Sequence, residues 1–235
     1  MKETVADIDQ WLRAGKTAIA LATVVKTWGS APRRVGAKMA VTADGRISGS
    51  VSGGCVEGSV VEACKNTLES GTPQLLHYGV ADETAWEVGL ACGGEIEVFV
   101  EVLEEKWRKF YQDAVANYWA GIVVTIIEGP TEMLGGKAAY ARDGERISSY
   151  LPDSTIELQD VLPLADGSQR LSLENGLELF VELIDPPPVL VMVGGVHVSI
   201  ALTREAKSLG YRTVVIDPRR SFGSDSRFPN VDQLL

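Results

Sequence analysis

The sequence predicts an α/β protein in two parts. The first is an N-terminal α+β domain over about residues 1–185, built as an internal repeat with halves near 1–103 and 104–185. The second is a truncated Rossmann-like βαβ unit over 186–235. Three observations predict this. Two segments echo each other: Gly36-Ala37-Lys38-Met39-Ala40-Val41 running to Asp44-Gly45, and Gly135-Gly136-Lys137-Ala138-Ala139-Tyr140 running to Asp143-Gly144. A proline run, Pro186-Pro187-Pro188, then reads as a stiff linker. Beyond it, a continuous apolar run, Val189–Val193, has the character of a buried parallel strand.

The elements follow in order. Val5 to Ala14 places Ile8, Trp11 and Leu12 on one side of a helix. Ala18–Val25 is an apolar strand. Asp44-Gly45, set between two strand-like runs, is a strong hairpin signal. Val56–Leu68 reads as an amphipathic helix and Gln74–Tyr78 as a strand in which His77 alternates with apolar neighbours. Glu97–Leu103 closes the first copy. The second begins with a helix over Glu104–Trp119, whose Trp107, Phe110, Tyr111, Val115 and Tyr118 recur at core spacing. Strands at Gly121–Ile127 and Glu178–Ile184 match those of the first copy. On this alignment the first copy holds an insertion, roughly 51–90, that the second lacks. The last unit runs strand, glycine turn, helix to Leu209, strand Thr213–Ile216, and ends that strand on Asp217. An acid about 20 residues after such a turn is where a dinucleotide fold holds a ribose, so Gly194, Gly195, His197 and Asp217 are candidate nucleotide contacts. Val196 stands where the second fingerprint glycine would let a pyrophosphate approach bare backbone, so NAD(P) binding is not expected.

Composition narrows the function. The chain has 235 residues, 45% hydrophobic and 23% charged, as ordinary globular domains do. A net charge of −10 argues against general nucleic-acid binding, which needs a basic face. No run is long and apolar enough to span a bilayer, and the N-terminus lacks the apolar centre of a signal peptide. Three cysteines without a short Cys-x-x-Cys spacing point to a reduced, cytoplasmic protein.

Two of those cysteines sit in mirrored glycine frames, Gly53-Gly54-Cys55 and Cys92-Gly93-Gly94. Glycine allows positive φ and close approach, so such a turn presents a thiol. The alternative is a pair of small buried residues beside tight turns, since free cysteine is commonly buried. Cys64, on the apolar side of a helix, reads as core. His77 reads as a solvated strand residue; with Cys55 and Cys92 it would complete three zinc ligands, though no spacing requires this. Arg33, Arg34 and Lys38 form a cationic loop in an acidic chain, and arginine forks suit phosphate.

Together these residues resemble the xanthine dehydrogenase accessory factor family (XdhC/CoxI). The resemblance rests on Gly29-Ser30-Ala31-Pro32-Arg33, Gly36-Ala37-Lys38-Met39, the block Gly49–Glu57, Cys92-Gly93-Gly94, and Asp217-Pro218-Arg219. Two departures stand out. The family has Gly-Ala-Gly-His at Gly194-Gly195-Val196-His197, and its last domain continues for roughly another hundred residues, an ordinary domain size. The resemblance implies a chaperone, not an enzyme, that binds the molybdenum cofactor (molybdopterin) transiently. It would support the cofactor's sulfuration with a cysteine desulfurase and deliver it to an apo molybdenum hydroxylase of the xanthine or CO dehydrogenase type. It implies Cys55 and Cys92 as molybdenum-site or sulfur ligands, because soft metals take thiolates. Gly53, Gly54, Gly93 and Gly94 would frame the cofactor, and Arg33, Arg34 and Lys38 would hold its phosphate. A homo-oligomer is expected. The competing readings are a small NAD(P)-dependent oxidoreductase using the C-terminal turn, and a pure interaction module.

Overall fold

The computed structural model describes residues 2–79, 93–142, 144–149 and 167–235. The chain divides into two compact units, Met1–Ile184 and Asp185–Leu235.

In the first unit, α1 (Lys2–Arg13) leads into β1 (Ile19–Trp28), β2 (Lys38–Thr42) and β3 (Ile47–Gly49). Next come α2 (Glu57–Ser70), β4 (Gln74–Tyr78) and β5 (Glu95–Val102). Then α3 (Glu105–Ala116) precedes β6 (Gly121–Glu128), β7 (Lys137–Ala141), β8 (Arg146–Ser149), β9 (Gln169–Ser172) and β10 (Glu178–Ile184). Two five-stranded antiparallel sheets result, ordered β3-β2-β1-β5-β4 and β8-β7-β6-β10-β9. They correspond strand for strand. The Asp44-Gly45 turn joins β2 to β3 as a tight hairpin: Gly45 takes φ 82° and the Thr42 hydroxyl donates to Asp44 at 2.7 Å. Asp143, its sequence counterpart, lies outside the described residues.

The correspondence corrects one expectation. Residues 51–90 are not wholly an insertion, because β4 pairs with β5 at one sheet edge as β9 pairs with β10 at the other. An alignment by sequence misses this because Gln169–Ser172 is four residues long and shares only a glutamine and a leucine in register with Gln74–Tyr78.

Both sheets are buried on their facing sides. The central strands each carry a β-bulge, at Val25 in β1 and Ile127 in β6. These two side chains meet Phe99 and Phe180 in one cluster between the sheets. Two lysine–glutamate pairs cross the same space. Lys38 Nζ lies 3.1 Å from Glu182 and Lys137 Nζ lies 2.7 Å from Glu101. Each lysine also donates to a threonine of its own sheet, Thr23 at 3.1 Å and Thr125 at 3.0 Å. All four charged side chains are nearly inaccessible. Burial lowers the Lys137 ammonium against the raising field of Glu101. On its outer side the first sheet is covered by α2, with Val60, Ala63 and Cys64 packed on Ala22, Val24, Val98 and Val100.

The second unit comprises β11 (Val189–Val193), α4 (His197–Ser208), β12 (Arg212–Ile216) and β13 (Gln233–Leu234), a parallel sheet ordered β11-β12-β13. β13 is too short and polar to carry a periodic signal, so the sequence pattern misses it. α4 covers one face through Leu190, Met192, Val215 and Ile200. Val189, Val191 and Val193 are exposed along β11, an edge strand.

Candidate functional site

The site is built around the loop that follows β1. Trp28, at the strand end, is 66% exposed. Gly29 takes φ 68°, which a β-carbon would strain, and turns the chain sharply. The segment then runs between the two glycine frames. A β-carbon at Gly94 would stand 2.7 Å from the Ser30 carbonyl and 3.0 Å from that of Trp28. Further along the segment, a β-carbon at Gly53 would touch Pro32 at 3.6 Å. The structure thus brings Gly53-Gly54-Cys55 and Gly93-Gly94 against the same segment, Trp28–Pro32. Cys92, the residue before Gly93, lies outside the described residues.

Cys55 is exposed, and Cys64 is fully buried in the core under α2. Burial pushes the Cys64 thiol up to about 12, so it stays protonated and inert. The division between a presented and a packed cysteine matches the sequence reading of these two positions.

What shapes the Cys55 turn is Glu57, the first residue of α2. Its carboxylate accepts from four consecutive amides: Val51 at 3.2 Å, Ser52 at 2.9 Å, Gly53 at 3.0 Å and Gly54 at 2.8 Å. It also accepts from the hydroxyls of Ser50, at 2.7 Å, and Ser52. Ser52 Oγ in turn accepts from the amides of Cys55 and Val56, both at 3.0 Å, and so satisfies donors at the start of α2 that lack helical partners. Burial pushes the Glu57 carboxyl up, but the Ser52 and Ser50 hydroxyls and the turn amides outweigh it and hold it down at about 2. Sequence reasoning assigned Glu57 no role. The available signal was an acid in the first turn of a helix separated by two residues from the stretch Ser50-Val51-Ser52-Gly53-Gly54.

The cations distribute differently from the expectation. Lys38 is not part of the exposed loop; it is the first residue of β2 and buried against Glu182. Its strand position turns it into the inter-sheet space, where only an acid can balance it. Arg33 donates to Glu3 of α1 at 2.6 Å, and its Nε is buried without a hydrogen-bond acceptor. Arg34 is exposed. Lys26, near the end of β1, is also accessible and pairs with Glu97 at 3.0 Å. A groove beside Trp28 is lined by Lys26, His77, Tyr78 and Glu97. His77 is solvent-accessible and 3.7 Å from Glu97. The Tyr78 hydroxyl meets Ser59 of α2 at 3.0 Å. Among the described residues, no group of three or more His, Cys, Asp or Glu side chains is placed to hold a metal.

The C-terminal glycine turn is likewise engaged from within. Asp217 accepts from the Gly195 amide at 2.7 Å and from Arg219 through its amide at 2.9 Å and its guanidinium at 2.7 Å. The Arg219 bonds, then the Gly195 amide, hold the carboxyl well below its ordinary value. A β-carbon at Gly195 would lie 2.4 Å from the Phe222 carbonyl. Gly195 is therefore packed against the chain's own loop, and Asp217, the expected ribose contact, holds that glycine. His197 opens α4 and makes no such contact.

Comparison with known proteins adds the following. Residues 11–79 match the model of the XdhC and CoxI family. A probable xanthine dehydrogenase subunit from Bacillus subtilis (strain 168) is 28% identical over 217 residues, or 92% of this chain and 64% of its own length. The molybdenum cofactor insertion chaperone PaoD of Escherichia coli (strain K12) is 39% identical over 93 residues, covering 39% of this chain and 28% of its own. The chain thus spans less than two thirds of either relative. A crystal structure from Bacillus halodurans, described as a xanthine dehydrogenase, shares the fold: the TM-score is 0.72 at 20% identity, over 98% of this chain and 67% of that one.

Proposed function

We propose that the chain carries a module of the XdhC and CoxI family and is a maturation factor whose cargo is the molybdenum cofactor. In this reading it holds the cofactor while a cysteine desulfurase supplies the terminal sulfur. It then passes the cofactor to an apo molybdenum hydroxylase of the xanthine or CO dehydrogenase type, in the cytoplasm.

The observation that carries this is the exposed Cys55 on a turn fixed beside Gly93-Gly94 by Trp28–Pro32. An accessible thiol in a narrow frame of glycines suits a soft metal and its dithiolene sulfurs. Glycine at Gly53, Gly54 and Gly93 leaves room for a flat ligand to reach the backbone. Cys92 is proposed as the second thiol. Of the expected phosphate contacts, Arg34 is accessible and is the one retained; Lys38 and Arg33 are committed to Glu182 and Glu3. The internal bonding of Gly195 and Asp217 supports leaving NAD(P) out of this function. The edge strand β11 with its exposed valines supports self-association.

The test is to purify the protein from cells that make molybdenum cofactor and to assay pterin and molybdenum in the preparation. Cofactor is expected at a stoichiometric fraction, with a loss of tenfold or more in Cys55→Ser or Cys92→Ser. Retention unchanged in both variants would refute the assignment.

A further inference from the structure

We propose that Glu57 is the positioning residue of the Cys55 turn, and that it acts as the turn's own built-in anion. A run of amides converging on one point makes an anion-binding concavity, the arrangement by which glycine-rich loops commonly bind phosphate. Here the converging amides are those of residues 51–54, and the anion is the carboxylate of Glu57. Gly53 and Gly54 adopt φ 81° and 122°, conformations that aim their amides inward and that side chains rarely permit. The bonded set includes the two serines, and Ser52 links the carboxylate to the Cys55 amide. The direction in which Cys55 leaves the backbone is therefore fixed by where Glu57 sits.

Two consequences follow. The amides of Gly53 and Gly54 are not open to an outside phosphate, so the turn supplies shape and a thiol, and the phosphate of an anionic ligand is met by accessible cations instead. Replacing Glu57 also removes the shared acceptor of four convergent amides, of which Gly53 keeps the Ser50 hydroxyl oxygen at 2.9 Å. A small oxyanion from solution then substitutes for the missing side chain. The importance given to Cys55 rests on the function proposed above; the geometry of Glu57 does not.

The experiment uses the full chain with Glu57→Ala and Glu57→Gln, without cofactor. The probes are sodium formate and inorganic phosphate, against sodium chloride at equal ionic strength. Glu57→Ala is expected to melt lower than the parent and to regain stability with formate or phosphate but not chloride, while the parent responds to none of them specifically. Alkylation of Cys55 by iodoacetamide, followed by peptide mass spectrometry, is expected to depart at least threefold from the parent rate and to return to it as formate is added. Glu57→Gln, with one acceptor oxygen left, should show a smaller departure. Should Glu57→Ala not fold in chloride, folding restored by formate or phosphate supports the proposal, and failure in every salt overturns it. A Cys55 rate within twofold of the parent in both variants, or a formate effect no larger than that of chloride, also overturns it. These readouts need no cofactor. If they hold while Cys55→Ser leaves cofactor retention intact, the role of Glu57 stands and the chaperone reading falls.

Discussion

Cys55 and Cys64 are the same side chain in opposite surroundings, and they should respond oppositely to one substitution. Cys64→Ser puts a hydroxyl into the apolar cluster under α2, where it has no ready partner, and should cost about 1–3 kcal/mol. Cys55→Ser changes an exposed group and should cost less than about 0.5 kcal/mol. Urea denaturation midpoints will separate the two. Equal losses would mean that Cys55 is packed. Glu57 gives a pH dependence with a definite sign. Its folded value, about 2, lies below the ordinary glutamate value of 4.5. Its stabilisation is therefore complete above about 4.5 and is lost as pH falls through about 2. After allowance for its partial exposure the effect is on the order of 2 kcal/mol. Acid titration of stability should show Glu57→Gln closing the gap with the parent across that interval, and a constant gap from pH 7 to pH 2 would contradict it.

At the scale of elements, the glycines that matter are those where another segment occupies the place of a β-carbon. Gly94→Ala would drive a methyl into the carbonyls of Ser30 and Trp28 and force the two site loops apart. A loss of about 1–3 kcal/mol is expected, together with reduced cofactor retention. Gly58→Ala, within α2 and facing open space, is the control and should raise stability by several tenths of a kcal/mol. Thermal unfolding of both variants tests the pair; equal effects would mean the loops do not press on each other. The elements themselves were largely legible. Apolar spacing placed α1, α2, α3 and most strands, because burial of one face imposes a period on the sequence. β9 and β13 were not legible, since edge strands exchange backbone bonds without needing an apolar side-chain pattern.

For the whole molecule, the crossed pairs Lys38–Glu182 and Lys137–Glu101 tie the two sheets through side chains that are nearly inaccessible. Removing one partner strands a buried charge. Lys38→Met should therefore cost about 3–5 kcal/mol, and Lys38→Met combined with Glu182→Leu should recover most of it. A double-mutant cycle in urea measures the coupling, and additive losses would show that the two partners do not depend on each other. Arg170 adds a second tie, reaching Glu97 of one sheet and Glu128 and Glu178 of the other. The division at Ile184 makes a further expectation. Residues 1–184 alone should keep a cooperative unfolding transition, whereas 185–235 alone should not fold, being small and open at its strand edges. Circular dichroism of the two fragments is the check.

The sequence by itself determined the mixed α/β class, the Asp44-Gly45 hairpin and the contrast between Cys55 and Cys64. Each of these depends on residues close together in the chain, where spacing and glycine content impose the outcome. The tertiary structure decided which polar groups are already spent. Lys38 and Arg33 read as free cations in sequence because their acceptors, Glu182 and Glu3, are distant in the chain. The C-terminal glycine turn reads as open to a ligand because Asp217, which accepts from the Gly195 amide, lies 22 residues further along the chain. A buried charge or amide must find a partner wherever the fold brings one, and that partner is set by three-dimensional packing, not by sequence spacing.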